Sequence, residues 1–333
     1  MASSAAQAFS YVLPIRIPAA DDLAADRLSG YLQQLERWCD DLIIVDGSPN
    51  QRHQTNRQVW DGVGRHVAPD QAHSCLNGKV AGVLTGVDLA RHERVVIADD
   101  DVRYDQAGLQ RTIDLLDDHD LVRPQNYFWP RPWHAVWDTA RTLLNRGTIG
   151  ADFPGTLAVR QSVLQQAGGY DGNVLFENLE LIRTVGARGG AIASPLDLYV
   201  RRLPPTSRHF VGQRVRQAYD EFAHPLRMAL WLSIIPCLAR IWKRRRFNLA
   251  AMTAATAVGL AERGRRRADG QDVFPAAATA LAPLWVLERA CCAWLAVAQR
   301  ARHGGVRYGN SIIRVAANSE RTLRHRARAS TVT

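Results

Sequence analysis

Cysteine is scarce in this chain of 333 residues, and its spacing suits no cross-link. Cys39, Cys75, Cys237, Cys291 and Cys292 make an odd count with no C-x-x-C pair. That argues against a zinc site or a disulfide framework and for a reducing compartment. Nothing repeats at a solenoid period. The first ten residues lack a basic start and a long apolar core, so a secretory signal is not expected. Interleaving of basic and aromatic residues on a polar face, the mark of nucleic-acid modules, is also missing. Basic clusters bracket apolar runs instead, and no nucleic-acid partner is expected. A hydrophobic content of 47% with 22% charged residues is globular.

Charge is unevenly spread along the chain. Residues 1–225 hold 23 Lys+Arg against 27 Asp+Glu, a net −4, and residues 226–333 hold 19 against 5, a net +14. The division predicts a body over 1–225 and a basic, apolar region over 226–333. An anionic membrane surface suits the second part.

The stretch Arg94–Tyr104 organises the first part. A β-branched apolar run ends in Asp99, Asp100 and Asp101. Such runs predict a buried strand of a mainly parallel sheet. Three adjacent carboxylates cannot enter a core without a counter-charge, so they belong at the strand's carboxyl end, where open α/β sheets bind ligands. Extended alternation would point Asp99 and Asp101 the same way, as hard oxygen ligands for Mg²⁺ or Mn²⁺ with a phosphate. The alternative is a solvated acidic turn.

Around this strand the pattern is β-α-β-(α)-β-α-β, an α/β order with parallel strands. Strands are predicted at Tyr11–Ile17, Asp41–Asp46, Arg65–Ala68 and Leu121–Asn126, with helices over Asp21–Trp38 and Asn77–Ala90. Asp46 falls at a strand's carboxyl end before Gly47-Ser48. Lys79 opens a helix beside Gly78, where an anionic group can be met. Tyr127–Trp137 is dense in aromatics, with Phe128, Trp129, Trp133 and Trp137. These suit a sugar face, a packed surface or a membrane interface. Asp152 lies in a loop before the next strand. Glu177 and Glu180, at i and i+3, share one face of a predicted helix as paired carboxylates or as acids favouring the helix dipole. Arg208, Arg214 and Arg216, with His209 and Gln213, suit a pyrophosphate or a solvated basic face.

In the C-terminal third, Met228–Ala239 is apolar but short of the ~20 residues of a standard span. Val273–Ala298 is long enough, but Glu288 and Arg289 interrupt it, and charges in mid-bilayer are costly unless buried in protein. Lys243–Arg246 would lie outside if the first run spanned outward from a cytosolic body. Interfacial or re-entrant amphipathic helices are therefore expected over clean spans, on the cytoplasmic face of the cell membrane. The basic stretch Arg321–Ser330 is expected to fray.

Five segments in order resemble the family 2 glycosyltransferases over about residues 10–225. They are Asp46-Gly47-Ser48, Asn77-Gly78-Lys79, Asp99-Asp100-Asp101, Phe176-Glu-Asn-Leu-Glu-Leu and Gln213-Arg-Val-Arg-Gln. The last is similar to the Q-x-x-R-W motif of membrane-associated members such as ceramide glucosyltransferases and cellulose synthases. The resemblance implies a GT-A, Rossmann-like fold, with a mixed, mainly parallel sheet flanked by helices. It implies a nucleotide-sugar donor bound by Asp46, Lys79, Asp99, Gln213, Arg214 and Arg216. It implies a divalent cation, Mn²⁺ or Mg²⁺, on Asp99, Asp101 and His209, inverting transfer, and a lipid or lipid-linked acceptor. Asn178 replaces the family's basic aspartate, which leaves Glu177 first and Glu180 second as general base. Gln217 replaces the motif's tryptophan, which argues against processive polymer synthesis. A degenerate scaffold of the same fold remains an alternative. So does a nucleotidyltransferase, although Tyr11–Ala20 lacks a Gly-rich basic signature.

Overall fold

A computed structural model describes residues 8–18, 24–152, 154–309 and 311–330. The opening residues that bear on a secretory signal, and the start of the first predicted helix at 21–23, lie outside the described residues.

In chain order the elements begin with β1 (Ser10–Ile15), α1 (Ala24–Trp38), β2 (Asp41–Asp46), α2 (Asn50–Val59), β3 (Arg65–Val67), α3 (Gly78–Leu89), β4 (Arg94–Ala98) and β5 (Val102–Arg103). Then come α4 (Gln106–Asp114), β6 (Leu121–Val122), β7 (Gln125–Phe128), α5 (Trp133–Thr148), β8 (Thr156–Arg160), α6 (Gln161–Gln166), α7 (Glu177–Ala187), β9 (Ile192–Ala193) and β10 (Tyr199–Arg202). The remainder is α8 (Ser207–Ala218), α9 (Pro225–Lys243), α10 (Phe247–Arg266), α11 (Gly270–Val273), α12 (Ala276–Ala280), α13 (Ala282–His303), β11 (Val306–Tyr308), β12 (Ser311–Ile313) and α14 (Glu320–Ser330).

Contacts divide the chain into two units. The first comprises Met1–Pro124, Pro154–Val200 and Asn318–Thr333, and the second Gln125–Phe153 and Arg201–Ala317. This does not follow a cut at residue 225, because α5 and its neighbours join the C-terminal helices and the basic tail joins the body.

The first unit is built on a seven-stranded sheet in the order β3-β2-β1-β4-β8-β6-β9. Strands β3, β2, β1 and β4 are parallel, β8 runs antiparallel to both β4 and β6, and β9 is parallel to β6. The mixed, mainly parallel sheet is as expected, and the order β3-β2-β1-β4 is Rossmann-like. Both faces are covered, which is why the middles of its strands β1, β2 and β4 are runs of apolar residues. Tyr11, Leu13, Leu42, Ile44 and Val96 pack into one core with α1, while Val12, Ile43, Val45, Val95 and Ile97 pack into the other with α3. Alternation along each strand divides the residues between the two. Each fully buried Val, Leu or Ile contributes roughly 1.5–3 kcal/mol. Helix α3 lies close on the sheet because it carries glycine there. A Cβ at Gly86 would stand 2.3 Å from Val12 Cγ1.

The second unit is mainly helical. Helices α5 and α10 cross at glycines: a Cβ on Gly147 would meet the Leu260 carbonyl oxygen at 2.1 Å, and one on Gly264 the Leu143 carbonyl oxygen at 1.9 Å. This backbone approach is why 125–153 belongs with the C-terminal helices. Gly264→Val is expected to lower stability by about 2–3 kcal/mol, since overpacking against backbone has no cheap relief. A thermal melt against the parent reads it, and an unchanged midpoint would contradict the close crossing.

Charges inside this unit are paired. Arg214 donates to both carboxylate oxygens of Glu288 and, from Nη1, to Asp138 at 2.9 Å. The Trp137 indole N–H also donates to Glu288. Arg289 meets Asp220 at 2.5 Å and Glu221 at 2.8 Å. The two charges that interrupt Val273–Ala298 are therefore internal partners of α13, which packs as a core helix of this unit. Helix α9 differs. It is longer than the apolar run that marks it, and among the described residues it alone is long and apolar enough to cross a membrane, with 6% of its apolar window buried. Leu226 is 90% exposed and Trp242 73%.

The tail is not frayed. Residues Glu320–Ser330 form α14, and the turn before it is anchored on α7. Asn318 N–H donates to Glu180 Oε2 at 2.7 Å and its side-chain amide to Glu180 Oε1 at 2.8 Å. The same amide also reaches Asp171 at 3.0 Å. All five cysteines are free, and burial pushes the Cys39 thiol up to about 12.

Candidate active site

Strands β2 and β4 of the first unit deliver Asp46 and Asp99 at their carboxyl ends, and helices α3 and α7 begin at Gly78, next to Lys79, and at Glu177. Strand β4 ends at Ala98, and Asp99 follows directly. The chain does not stay extended. The Val102 N–H returns to the Asp99 carbonyl at 3.1 Å, so the three acids form a turn into β5. The alternation expected to align Asp99 with Asp101 does not hold, because the backbone reverses between them. Asp100 is exposed, while Asp99 and Asp101 are half-buried.

Helix α3 brings the counter-charge. Asn77 caps it, its side-chain oxygen accepting the Lys79 N–H at 3.2 Å. The Lys79 ammonium then lies between two carboxylates, in contact with Asp99 Oδ1 and 2.7 Å from Glu177 Oε1. The three side chains are 20%, 17% and 16% exposed, so the cluster is largely shielded from solvent but still open to it. Burial would lower the lysine's pKa, but Asp99 and then Glu177 outweigh it and hold the pKa well above its usual value. Lys79 is a fixed cation.

Glu177 is the first residue of α7 and owes its place to Asn77. The Asn77 amide donates to the Val174 carbonyl at 3.2 Å and to Glu177 Oε2 at 3.3 Å. Asn77 is 1% exposed and ties the start of α3 to the start of α7, nearly a hundred residues away. As a helix-cap residue beside Gly78-Lys79 it was visible in the sequence; as the group that orients Glu177 it was not.

The other predicted residues have separate environments. Glu180 is fully buried, with both oxygens on Asn318, and does not share the surroundings of Glu177. One helical turn at i and i+3 leaves the first carboxylate at the helix mouth and sends the second inside. Burial raises the Glu180 pKa, and the Asn318 bonds oppose that. A carboxyl whose folded pKa is raised loses stability as pH climbs above its unfolded value. Asn318→Ala removes the side-chain amide bond to Oε1 and leaves the backbone N–H on Oε2, so its destabilisation should be small near pH 4 and reach about 1–2 kcal/mol near pH 8. Denaturant melts at the two pH values check this, and an equal loss at both would contradict it.

Asn178, in the place where a basic aspartate was expected, donates from its amide to the Pro154 carbonyl at 2.9 Å. A carboxylate there would set acceptor against acceptor, which is why the amide fits.

Asp46 is 1% exposed. Its Oδ1 accepts the Ser48 N–H at 2.9 Å, and its Oδ2 accepts from Asn56 at 2.7 Å. His66 Nε2 lies 3.1 Å from the same Oδ2. Burial alone would raise its pKa, but His66, Ser48 and Asn56 outweigh it and bring it to about 2. Asp46 is an internal anion that shapes the Asp46-Gly47-Ser48 turn, not an open carboxylate.

His209, Gln213, Arg214 and Arg216 all lie on α8, in the second unit. His209 is exposed and Gln213 half-buried. The Arg216 guanidinium stacks on Tyr308 at 5.0 Å. Arg214, expected to face a diphosphate, is instead an interior group held by Asp138 and Glu288; a buried guanidinium needs such partners more than it needs a ligand. Of the tryptophans, Trp129 and Trp133 are half or more exposed, while Trp137 is engaged with Glu288.

Asp99 and Asp101 are hard oxygen donors at a strand end. Two such ligands, with diphosphate oxygens completing the shell, suit Mg²⁺ or Mn²⁺.

No protein-family model matches the chain, and no curated protein does. Solved structures do show likeness. A mannosyltransferase from Pyrobaculum calidifontis in complex with GDP-Man and Mn²⁺ is 14% identical over 98% of this chain and 80% of its own, with a TM-score of 0.49. Glucosyl-3-phosphoglycerate synthase from Mycobacterium tuberculosis, in complex with Mn²⁺, UDP and glucosyl-3-phosphoglycerate, is 16% identical over 62% of this chain and 75% of its own, at 0.42. Mannosyl-3-phosphoglycerate synthase from Rubrobacter xylanophilus is 15% identical over 62% and 70%, at 0.41. Likeness at this level leaves the functional reading to rest on the chain's own residues.

Proposed function

We propose that this chain is a metal-dependent glycosyltransferase of the GT-A type, transferring a sugar from a nucleoside-diphosphate sugar to a lipid or lipid-linked acceptor. The observation that carries the reading is the Lys79 ammonium held between Asp99 and Glu177 at the carboxyl end of the parallel strands. An acid turn, a fixed cation and a second carboxylate then share one half-exposed locus, where α/β sheets take nucleotides.

Each group has a task. Asp99 and Asp101 would hold the divalent cation, which supplies charge neutralisation to the departing diphosphate. Lys79 stands ready to shift its ammonium from Asp99 toward the diphosphate once Asp99 has another counter-charge. Glu177 accepts the proton of the acceptor hydroxyl. The bond from the anomeric carbon to the diphosphate oxygen breaks as the bond from that carbon to the acceptor oxygen forms, on the opposite face. Asp46 contributes by holding the turn after β2.

The acceptor class and location rest on α9. Its exposed Leu226, Leu230 and Trp242 precede Lys243–Arg246, and an apolar face edged by arginines suits anionic lipid. The proposed seat is the cytoplasmic face of the cell membrane.

A donor screen with UDP- and GDP-sugars tests the activity, with Mn²⁺, with Mg²⁺ and with chelator. Release of nucleoside diphosphate that needs the metal and is lost in Asp101→Ala is the expected result; metal-independent release would remove the proposal. For the membrane, Leu230→Glu/Trp242→Glu is expected to lower partition onto phosphatidylglycerol-containing vesicles about tenfold or more. Equal binding to neutral vesicles would overturn the electrostatic part.

A further inference from the structure

A second group of metal-capable side chains lies on other elements of the first unit. Among the described residues, one trio of His, Cys, Asp or Glu side chains offers ligand atoms all within 4.8 Å of one another: Asp46, His53 and His66. They come from three elements, β2, α2 and β3. Asp46 Oδ2 is 3.1 Å from His66 Nε2 and 3.7 Å from His53 Nδ1, which also lies 3.2 Å from the Asp46 backbone carbonyl, a contact that an ion would replace. The imidazoles stack at 4.5 Å with their planes 21° apart.

The dimensions suit a small tetrahedral ion. With arms of about 2.0–2.1 Å, a tetrahedral site has ligand-to-ligand edges of roughly 3.3 Å, and the two measured edges bracket that figure. A carboxylate accepting from one imidazole needs no ion. Three features go beyond such a bond. The carboxylate and the His66 side chain are 0% and 6% exposed, so this side of the group is shut off from bulk water. His53 is 21% exposed and leaves one side open. Two further polar atoms of the cluster, His66 Nδ1 and Asn56 Oδ1, are buried with no hydrogen-bond partner. Trp60 closes another side, its ring edge-on to His66 at 5.4 Å.

We infer that Asp46, His53 and His66 form a site for a divalent transition metal of the zinc class, with three protein ligands and a fourth position open to water. Two imidazoles and one carboxylate select a borderline ion over Mg²⁺, so the site is chemically distinct from the all-oxygen pair Asp99 and Asp101. It is also distinct from the thiolate sites that the cysteine spacing argues against. Its effect is structural: one ion would join β2, α2 and β3 and fix the turn at Asp46-Gly47-Ser48. Because β2 ends there, the ion would set the wall of the nucleotide-facing end of the sheet.

The test uses tag-free full-length protein. After incubation with one equivalent of Zn²⁺ and gel filtration, metal analysis is expected to give about one zinc per chain, with the melting midpoint raised by about 3–5 °C. Co²⁺ should give the intense visible absorption of a tetrahedral site. His53→Ala, on the outer side, and His66→Ala should each lose the stoichiometric ion, the midpoint rise and the absorption, with a native circular dichroism spectrum for His53→Ala. Asp101→Ala, which addresses the other locus, should keep all three. Retention of zinc in His53→Ala, its loss in Asp101→Ala, or binding below one-tenth equivalent in the parent would each overturn the inference. None of these outcomes depends on whether the chain transfers sugars.

Discussion

Glu177→Gln is expected to lower turnover of a nucleotide sugar by about 10²–10⁴-fold while leaving donor affinity within a few-fold. The amide keeps the size of the side chain and can still meet Asn77, but it cannot take a proton from an acceptor hydroxyl. The Lys79 ammonium, 2.7 Å from Glu177 Oε1, keeps Asp99 as a partner, so the cluster should hold its shape. A matching Glu180→Gln variant is the control. Glu180 is an interior group bonded to Asn318, and its amide variant should lose stability and keep the per-molecule rate of the folded fraction. Rates normalised to folded protein separate the two. If Glu180→Gln loses turnover and Glu177→Gln keeps it, the base has been assigned to the wrong residue.

That choice between two glutamates shows where sequence stops being informative. The i and i+3 spacing puts them on one helical face, which is true of α7. It cannot say that α7 begins at Glu177, so that one residue is at the mouth and the other one turn inside. The deciding contact is Asn318, 138 residues away. The sheet was far more legible. Apolar runs that do not alternate with polar residues demand two covered faces, and the middles of β1, β2 and β4 supply residues to both. The turn at Asp99–Asp101 was legible as an acid cluster at a strand end, but not in its direction, because a strand pattern carries no record of where extension stops. The Arg214 expectation failed for a related reason. Arginines spaced along a helix look alike in sequence, and only Asp138 and Glu288, from two other helices, show which one is interior. Glycine was no more telling. Gly147 and Gly264 stand where the backbones of α5 and α10 touch, a pairing that only the structure shows.

Lysine did carry a readable signal. Lys79 and Lys243 are the only lysines beside 40 arginines. An ammonium is a compact point charge with three rotatable donors, whereas a guanidinium is a planar fork. Between Asp99 and Glu177, which approach from different elements, the compact charge fits. Lys79→Met is therefore expected to lower kcat/KM by about 10²–10³-fold, and Lys79→Arg should recover little of it.

The pH dependence separates this from simple misfolding. In the parent, the raised folded pKa of Lys79 gives stability that is fully present below the unfolded lysine value and is lost only as pH rises through the folded one. The contribution is thus constant across neutral pH. Without the ammonium, two partly buried carboxylates face each other. Their folded pKa values rise, so the variant loses stability as pH climbs above the unfolded carboxyl range. The penalty against the parent should be small near pH 4 and about 1–3 kcal/mol near pH 7, at the low end of buried-pair values because each group retains some solvent. The acid limb of the rate profile should move to higher pH for the same reason, since Glu177 must be ionised to act as base. Adding Glu177→Gln to Lys79→Met removes one of the repelling charges and should restore part of the stability while leaving turnover low. A double variant as unstable at pH 7 as Lys79→Met alone would show that the ammonium is not what keeps these two carboxylates together.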